Sequence, residues 1–309
     1  VDFAPGCYLR ERDEDLLCQA RKKAESCDAV VCVLGGSSSR FSGATFDSNG
    51  AALTDEQATA RITMDCGEGM DCAVLELPAA QLELLSAMAE SGRPVITLVI
   101  AGRPLALTQV CERSRAVVLA FYPGPAGGEA AAEILTGKEN PSGRLPVSLP
   151  RSSGQVPVYY NYRNSYKGMH YMDEKEGPLY PFGYGLDYGE YAWSCGQCPG
   201  KVTMADLEKD GVTVGIRVKN VGGRDGSVVA QLYVTDVAAS VARRVKELKA
   251  FEKVRLKAGE EKEIRLLLDR DALSIWNNQM KFGPEPGIFL LELADQGKTI
   301  WKGELELCI

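Results

Sequence analysis

The sequence predicts an open, largely parallel α/β sheet with helices on both faces, followed by an all-β sandwich. Three observations carry this. Continuous apolar runs alternate with helical stretches in the first half. From Val212 onward the hydrophobic period becomes two. At 309 residues the chain also exceeds the usual size of one core, so two folding units are expected.

The elements follow in order. Glu14 to Glu25 has a helical pattern, and Asp28 to Leu34 reads as a buried strand closed by Gly35-Gly36. A loop rich in Ser and Gly comes next. Pro78 opens a helix to about Glu90, with Leu82, Leu84, Leu85 and Met88 as its apolar stripe. Val95–Ile100 and Ala116–Phe121 are continuous apolar runs expected to be buried on both faces, with a short helical segment from Leu105 to Arg113 between them. Gly127 to Thr136 forms a small-residue helix, and Leu145–Leu149 a last short strand. Beyond Pro150 a Tyr-rich, irregular stretch reads as an ordered tail over the first domain. Val212, Val214, Ile216 and Val218 then alternate with polar residues, and similar runs recur to Glu306, the spacing of about seven sandwich strands. The expected division is 1–192 for the first domain, 193–201 for a linker and 202–309 for the second.

Composition limits the function classes. Apolar residues make up 45% and charged residues 25%, as in a packed globular protein, and the net charge is −7. No Lys/Arg run offers a footprint for phosphate backbones, so no nucleic-acid partner is expected. No stretch reaches the roughly 20 apolar residues of a membrane helix, so no membrane is expected either. The first residues lack the basic start and apolar stretch of a secretory signal, and they also lack an initiator Met. Ten Cys are scattered, several inside apolar runs, a usage that suits a reducing cytoplasm.

Several segments can carry chemistry. Asp65-Cys66-Gly67-Glu68-Gly69-Met70-Asp71 is an acidic, glycine-flanked loop in which the Glu68 carboxyl is free to project. Enclosed by another surface, such a carboxyl can serve as a general acid; otherwise it is a solvated loop. Gly35-Gly36-Ser37-Ser38-Ser39-Arg40 lacks Walker spacing and reads as a plain turn or a rim loop in which Arg40, with Phe41 beside it, meets a polar ligand or pairs with Asp65 or Asp71. Cys195 and Cys198 have dithiol spacing but sit in the expected linker, and no matched second pair completes a zinc site. His170, the only histidine, has no nucleophile elbow near it. Tyr159, Tyr160, Tyr162, Tyr166 and Tyr171 either stack on sugar faces or cover core surface. No metal or cofactor is expected.

In order, these motifs resemble the C-terminal half of glycoside hydrolase family 3, the β-glucosidase and β-xylosidase family. The resemblance is carried by Cys66 to Asp71 with Leu75-Glu76-Leu77-Pro78 and Gln81, Gly102-Arg103-Pro104-Leu105, and Tyr122-Pro123-Gly124 with Gly127-Gly128. It continues through Asn140 to Pro146, Pro181 to Leu186, Val218 to Gly222, Gln231 to Val234 and Lys246 to Phe251. The resemblance implies a fibronectin type III-like second domain and makes Glu68 the general acid/base of a retaining β-glycosidase, with Arg40 and Phe41 as substrate contacts. The substrate implied is a β-linked oligosaccharide or aryl β-glycoside. The partner implied is a (β/α)8 barrel bearing the Asp nucleophile, in another chain or in a missing part of the same protein. Such a barrel takes about 250 residues, and no Ser-Asp-Trp like the family's nucleophile motif occurs here. The first domain is expected to lack its opening strand and helix, and this chain alone is expected to be inactive. Cys72 departs from the family pattern, in which many relatives carry Arg. The competing reading is a non-catalytic carbohydrate-binding or scaffolding module.

Overall fold

The computed structural model describes residues 1–38, 45–46, 52–53, 65–67, 71–163 and 170–309, with 45–46, 52–53 and 195–196 as backbone alone. Two compact units divide the chain: Val1–Ala132 with Leu149–Pro157, and Glu133–Ser148 with Val158–Ile309. The expected division at 192 therefore differs from this one. Residues 133–148 and 158–192 group with the second unit because their hydrogen bonds run to it, as those of Arg144 and Asp187 show below.

In the first unit, α1 (Glu14–Glu25) begins where Asp13 Oδ1 accepts the Leu16 N–H at 3.1 Å, satisfying one of the open amides of the first turn. Glu14 and Asp15 at its start and Lys22 and Lys23 at its end complement the helix dipole, and Leu17, Ala20 and Ala24 form the buried stripe. Next come β1 (Val30–Gly35) and the short pair β2 (Thr45–Phe46) and β3 (Ala52–Leu53), then α2 (Ala79–Glu90) and β4 (Val95–Ile100). After α3 (Thr108–Arg113) and β5 (Ala116–Leu119), α4 (Gly127–Leu135) closes this stretch. The three longer strands form a parallel sheet in the order β1-β4-β5, with Val30 opposite Val95 and Gly35 opposite Ile100. This is the α/β class expected.

Burial on both faces holds for β4, where Thr97 and Val99 are fully buried and Leu98 is 7% exposed. It does not hold for β1, an edge strand: Cys32 and Leu34 face inward while Val31 and Val33 are 47% and 59% exposed. Gly35 is obligatory at the end of β1. Its φ of 145° is a glycine conformation, and a Cβ there would lie 1.8 Å from the Ile100 carbonyl oxygen. Buried Gln81 locks α2 to this point, accepting from Gly35 N–H and donating to Gly35 O and Leu9 O, each at 2.8 Å. The expected strand Leu145–Leu149 is not regular. Leu145 pairs through its N–H, which donates to Tyr184 O, and its carbonyl, which accepts from Gly183 N–H, and Leu149 makes a single bridge.

The second unit is a two-sheet sandwich. β6 (Tyr191–Gln197), β7 (Lys201–Thr203), α5 (Met204–Asp210), β8 (Val212–Asn220), β9 (Gly226–Asp236), β10 (Glu247–Leu256) and β11 (Glu261–Leu268) follow one another. β12 (Ser274–Trp276) and β13 (Phe282–Pro284) pair as a hairpin before β14 (Gly287–Asp295) and β15 (Lys298–Cys308). One sheet runs β10-β9-β14-β15-β7 and the other β11-β8-β6. The stretch expected to be a linker is thus corrected: β6 pairs antiparallel with β8, and Tyr191 and Trp193 pack on the core. Ile216, Leu232, Leu256, Ile264, Leu268, Leu291, Leu293, Leu305 and Leu307 fill the interior at 1% exposure or less, each side chain removed from water contributing about 1.5–3 kcal/mol.

A buried ion cluster ties the Asn140–Pro146 motif into this unit. Arg144 Nε donates to Asp295 Oδ1 at 2.8 Å and Nη2 to Asp187 Oδ2 at 3.2 Å, with all three side chains at most 4% exposed. Gln296 N–H donates to Asp295, and Gln296 Nε2 and Gly189 N–H donate to Asp187, each at 2.8 Å. The cluster completes the hydrogen bonding that a buried charge requires.

Candidate active site

Parallel sheets carry their chemistry at the carboxyl ends of their strands. Here the ends of β1 and β4 border a pocket of about 310 Å³, lined by Arg10, Asp65, Cys66, Glu76 and Arg103 among others. Glu68, Arg40 and Phe41 lie outside the described residues. The described residues show how the loop that carries Glu68 is anchored.

Asp65 folds back on the turn after β1. Its N–H donates to Ser37 O at 2.9 Å, its Oδ1 accepts from Ser37 N–H at 2.8 Å, and Cys66 N–H donates to the same Ser37 carbonyl at 3.3 Å. On the far side of the loop, Cys72 Sγ donates to Asp65 O at 3.4 Å. Cys72 is exposed and bonded to the loop's own base. The next turn is fixed as well: Leu75 N–H donates to Ser153 Oγ at 2.8 Å, and that hydroxyl donates to Glu76 Oε2 at 3.1 Å. The Asp65 carboxylate is engaged by backbone, so Asp65 serves as a structural anchor.

Sequence reasoning passed over Tyr122 as a site residue. Its hydroxyl lies 2.8 Å from Cys66 Sγ. Burial, and then the bond to Cys66, raise its phenol above the ordinary value, so it stays protonated at neutral pH. The only sequence signal was its place in the Tyr122-Pro123-Gly124 motif.

The other candidates are dispersed. Cys198 follows strand β6, and its Sγ contacts Pro199 O at 3.8 Å. His170 is exposed and pairs with Glu176. Of the tyrosines, Tyr160 stacks on Phe182 at 4.2 Å and meets Tyr233 edge-on at 5.9 Å, covering core surface, while Tyr159 is 63% exposed. Among the described residues no group of three or more His, Cys, Asp or Glu could hold a metal ion, and no helix is long and apolar enough to cross a membrane.

The profile of the glycosyl hydrolase family 3 C-terminal domain matches residues 9–188. The chain belongs to glycoside hydrolase family 3. A fibronectin type III-like profile matches residues 228–296, within the sandwich. A periplasmic β-glucosidase of Salmonella typhimurium is 40% identical over 75% of this chain and 31% of its own length. A β-xylosidase of Formosa agariphila is 34% identical over 97% of this chain and 38% of its own. The crystal structure of a β-glucosidase from Listeria innocua in complex with glucose superposes with a TM-score of 0.84 at 31% identity, covering 97% of this chain and 39% of that one. The chain thus spans 31–39% of the length of these family 3 relatives and corresponds to their C-terminal domains.

Proposed function

We propose that this chain supplies the general acid/base, Glu68, to a retaining β-glycosidase that cleaves terminal non-reducing β-linked sugars, glucosides foremost. In this reading the Asp nucleophile stands on a (β/α)8 barrel, in a further part of the same protein or in another chain. Retaining hydrolysis sets two carboxyl groups about 5 Å apart: one attacks the anomeric carbon while the other protonates the leaving oxygen and then activates water. The observation that carries the proposal is the anchoring of Asp65 and Cys66 to Ser37, which roots the Glu68 loop beside the pocket at the carboxyl ends of β1 and β4. Arg40 and Phe41, from the loop after β1, would meet the sugar. The open face of β1, with Val31 and Val33, supports cover by a further segment. The chain on its own would be inactive, and a cytoplasmic location belongs to the same reading.

The test is Glu68→Gln in the complete enzyme. The variant should lose several orders of magnitude of kcat/KM on substrates with poor leaving groups and little on those with good ones, because only the former need the proton in the bond-breaking step that kcat/KM reports. Unchanged turnover would sink the proposal and favour a carbohydrate-binding module with Glu68 idle.

A further inference from the structure

The anchoring of the acidic loop has a second side. β5 ends at Leu119, and two residues later Phe121 holds a left-handed backbone, φ 51°, which bulky residues rarely adopt. Such strain persists only where the surroundings over-determine it, and it concentrates at working sites. The Phe121 carbonyl accepts the Ala101 N–H at 3.1 Å, which fixes this turn to the end of β4. Tyr122 then lies so close to Gly102 that a Cβ there would meet the ring at 2.4 Å. Its hydroxyl is thereby delivered to the buried Cys66 thiol at 2.8 Å. Cys66 is held from the opposite side through its N–H to Ser37. The base of the loop is stapled between the end of β1 and the end of β5, across the middle strand.

We infer that Tyr122, acting through Cys66, is a positioning residue for Glu68, two places further along the loop. The inference rests on the reading of Glu68 as the acid/base. Its physical content is that a proton donor displaced by even a fraction of an ångström loses efficiency only in steps that need its proton. Tyr122 is 49% exposed, so removing its hydroxyl leaves the ring and the core in place.

The test uses the complete enzyme and two aryl β-glucosides, one with phenol and one with dinitrophenol as leaving group. Tyr122→Phe should lower kcat/KM for the phenyl glucoside by about ten- to a hundredfold and leave the dinitrophenyl glucoside within about twofold, since that leaving group departs without a proton. Cys66→Ala should reproduce this, Cys66→Ser should retain the bond and restore the rate, and the Cys66→Ala/Tyr122→Phe double variant should be no worse than either single one. Equal losses on both substrates, no loss on either, or additive losses in the double variant would overturn the inference. Glu68→Gln separates the two failures. If it shows the leaving-group dependence and Tyr122→Phe does not, the positioning role alone falls; if Glu68→Gln shows none, the acid/base reading falls and the inference with it.

Discussion

Replacing Arg144 by Met tests whether the buried ion cluster holds the second unit together. Met keeps most of the side-chain length and packing but removes the guanidinium from between Asp187 and Asp295, whose side chains are 0% and 4% exposed. The two carboxylates would keep amide partners, Gly189 N–H and Gln296 Nε2 for Asp187 and Gln296 N–H for Asp295, yet no counter-charge from Arg144. Breaking a buried pair costs about 3–5 kcal/mol, and the surviving amide bonds put this case near the lower end, about 3 kcal/mol. With a urea slope of about 2 kcal/mol/M, the midpoint should fall by about 1.5 M. The assay is tryptophan fluorescence during urea unfolding. Trp193, Trp276 and Trp301, the three tryptophans of the sequence, all lie in the second unit, so the signal reports on it alone. A midpoint shift below about 0.5 M would refute the reasoning, because the cluster would then contribute no more than an exposed ion pair.

Two further predictions follow from titrating groups. Burial pushes the Cys32 thiol up to about 11, so at pH 8 only about a thousandth of it is thiolate; iodoacetamide with mass mapping should label exposed Cys72 fast and Cys32 hardly at all, whereas equal rates would refute the packing of β1. The Ser240 hydroxyl and N–H, at 2.6 and 2.8 Å, hold the Glu285 carboxyl below its ordinary value of 4.5. Its folded value is depressed, so its contribution is present above 4.5 and lost as pH falls through the folded value. Glu285→Gln should melt slightly lower than the parent at about pH 6, and the gap should narrow as the pH falls below 4.5; a gap independent of pH would show that charge plays no part.

The fold was legible wherever one physical signal acted alone. α1 has the bounds its caps and periodicity indicate, Glu14 to Glu25, and the alternation from Val212 marks β8. β6 was missed although Tyr191 and Trp193 alternate with Ala192 and Ser194, because the Cys-Gly-Gln-Cys-Pro-Gly run that follows reads as a break. β1 misled in the other direction: an apolar run states that residues can be buried, and an edge position leaves Val31 and Val33 in solvent. At the site, the sequence pointed to the acidic loop through its glycines and family motif. It could not show what anchors the loop. The Cys66–Tyr122 contact spans 56 positions, and Phe121 carries no glycine to advertise its left-handed turn.

The division of the chain bears on how such enzymes can be recombined. The backbone passes between the units three times, after Ala132, Ser148 and Pro157, so the fibronectin-like sandwich is not a detachable cassette. A graft taken from residue 193 onward would carry Asp295 into its new host and leave Arg144 and Asp187 behind. Exchange of this module between relatives has to move residues 133–148 with it, while the returning segment 149–157 stays with the first unit.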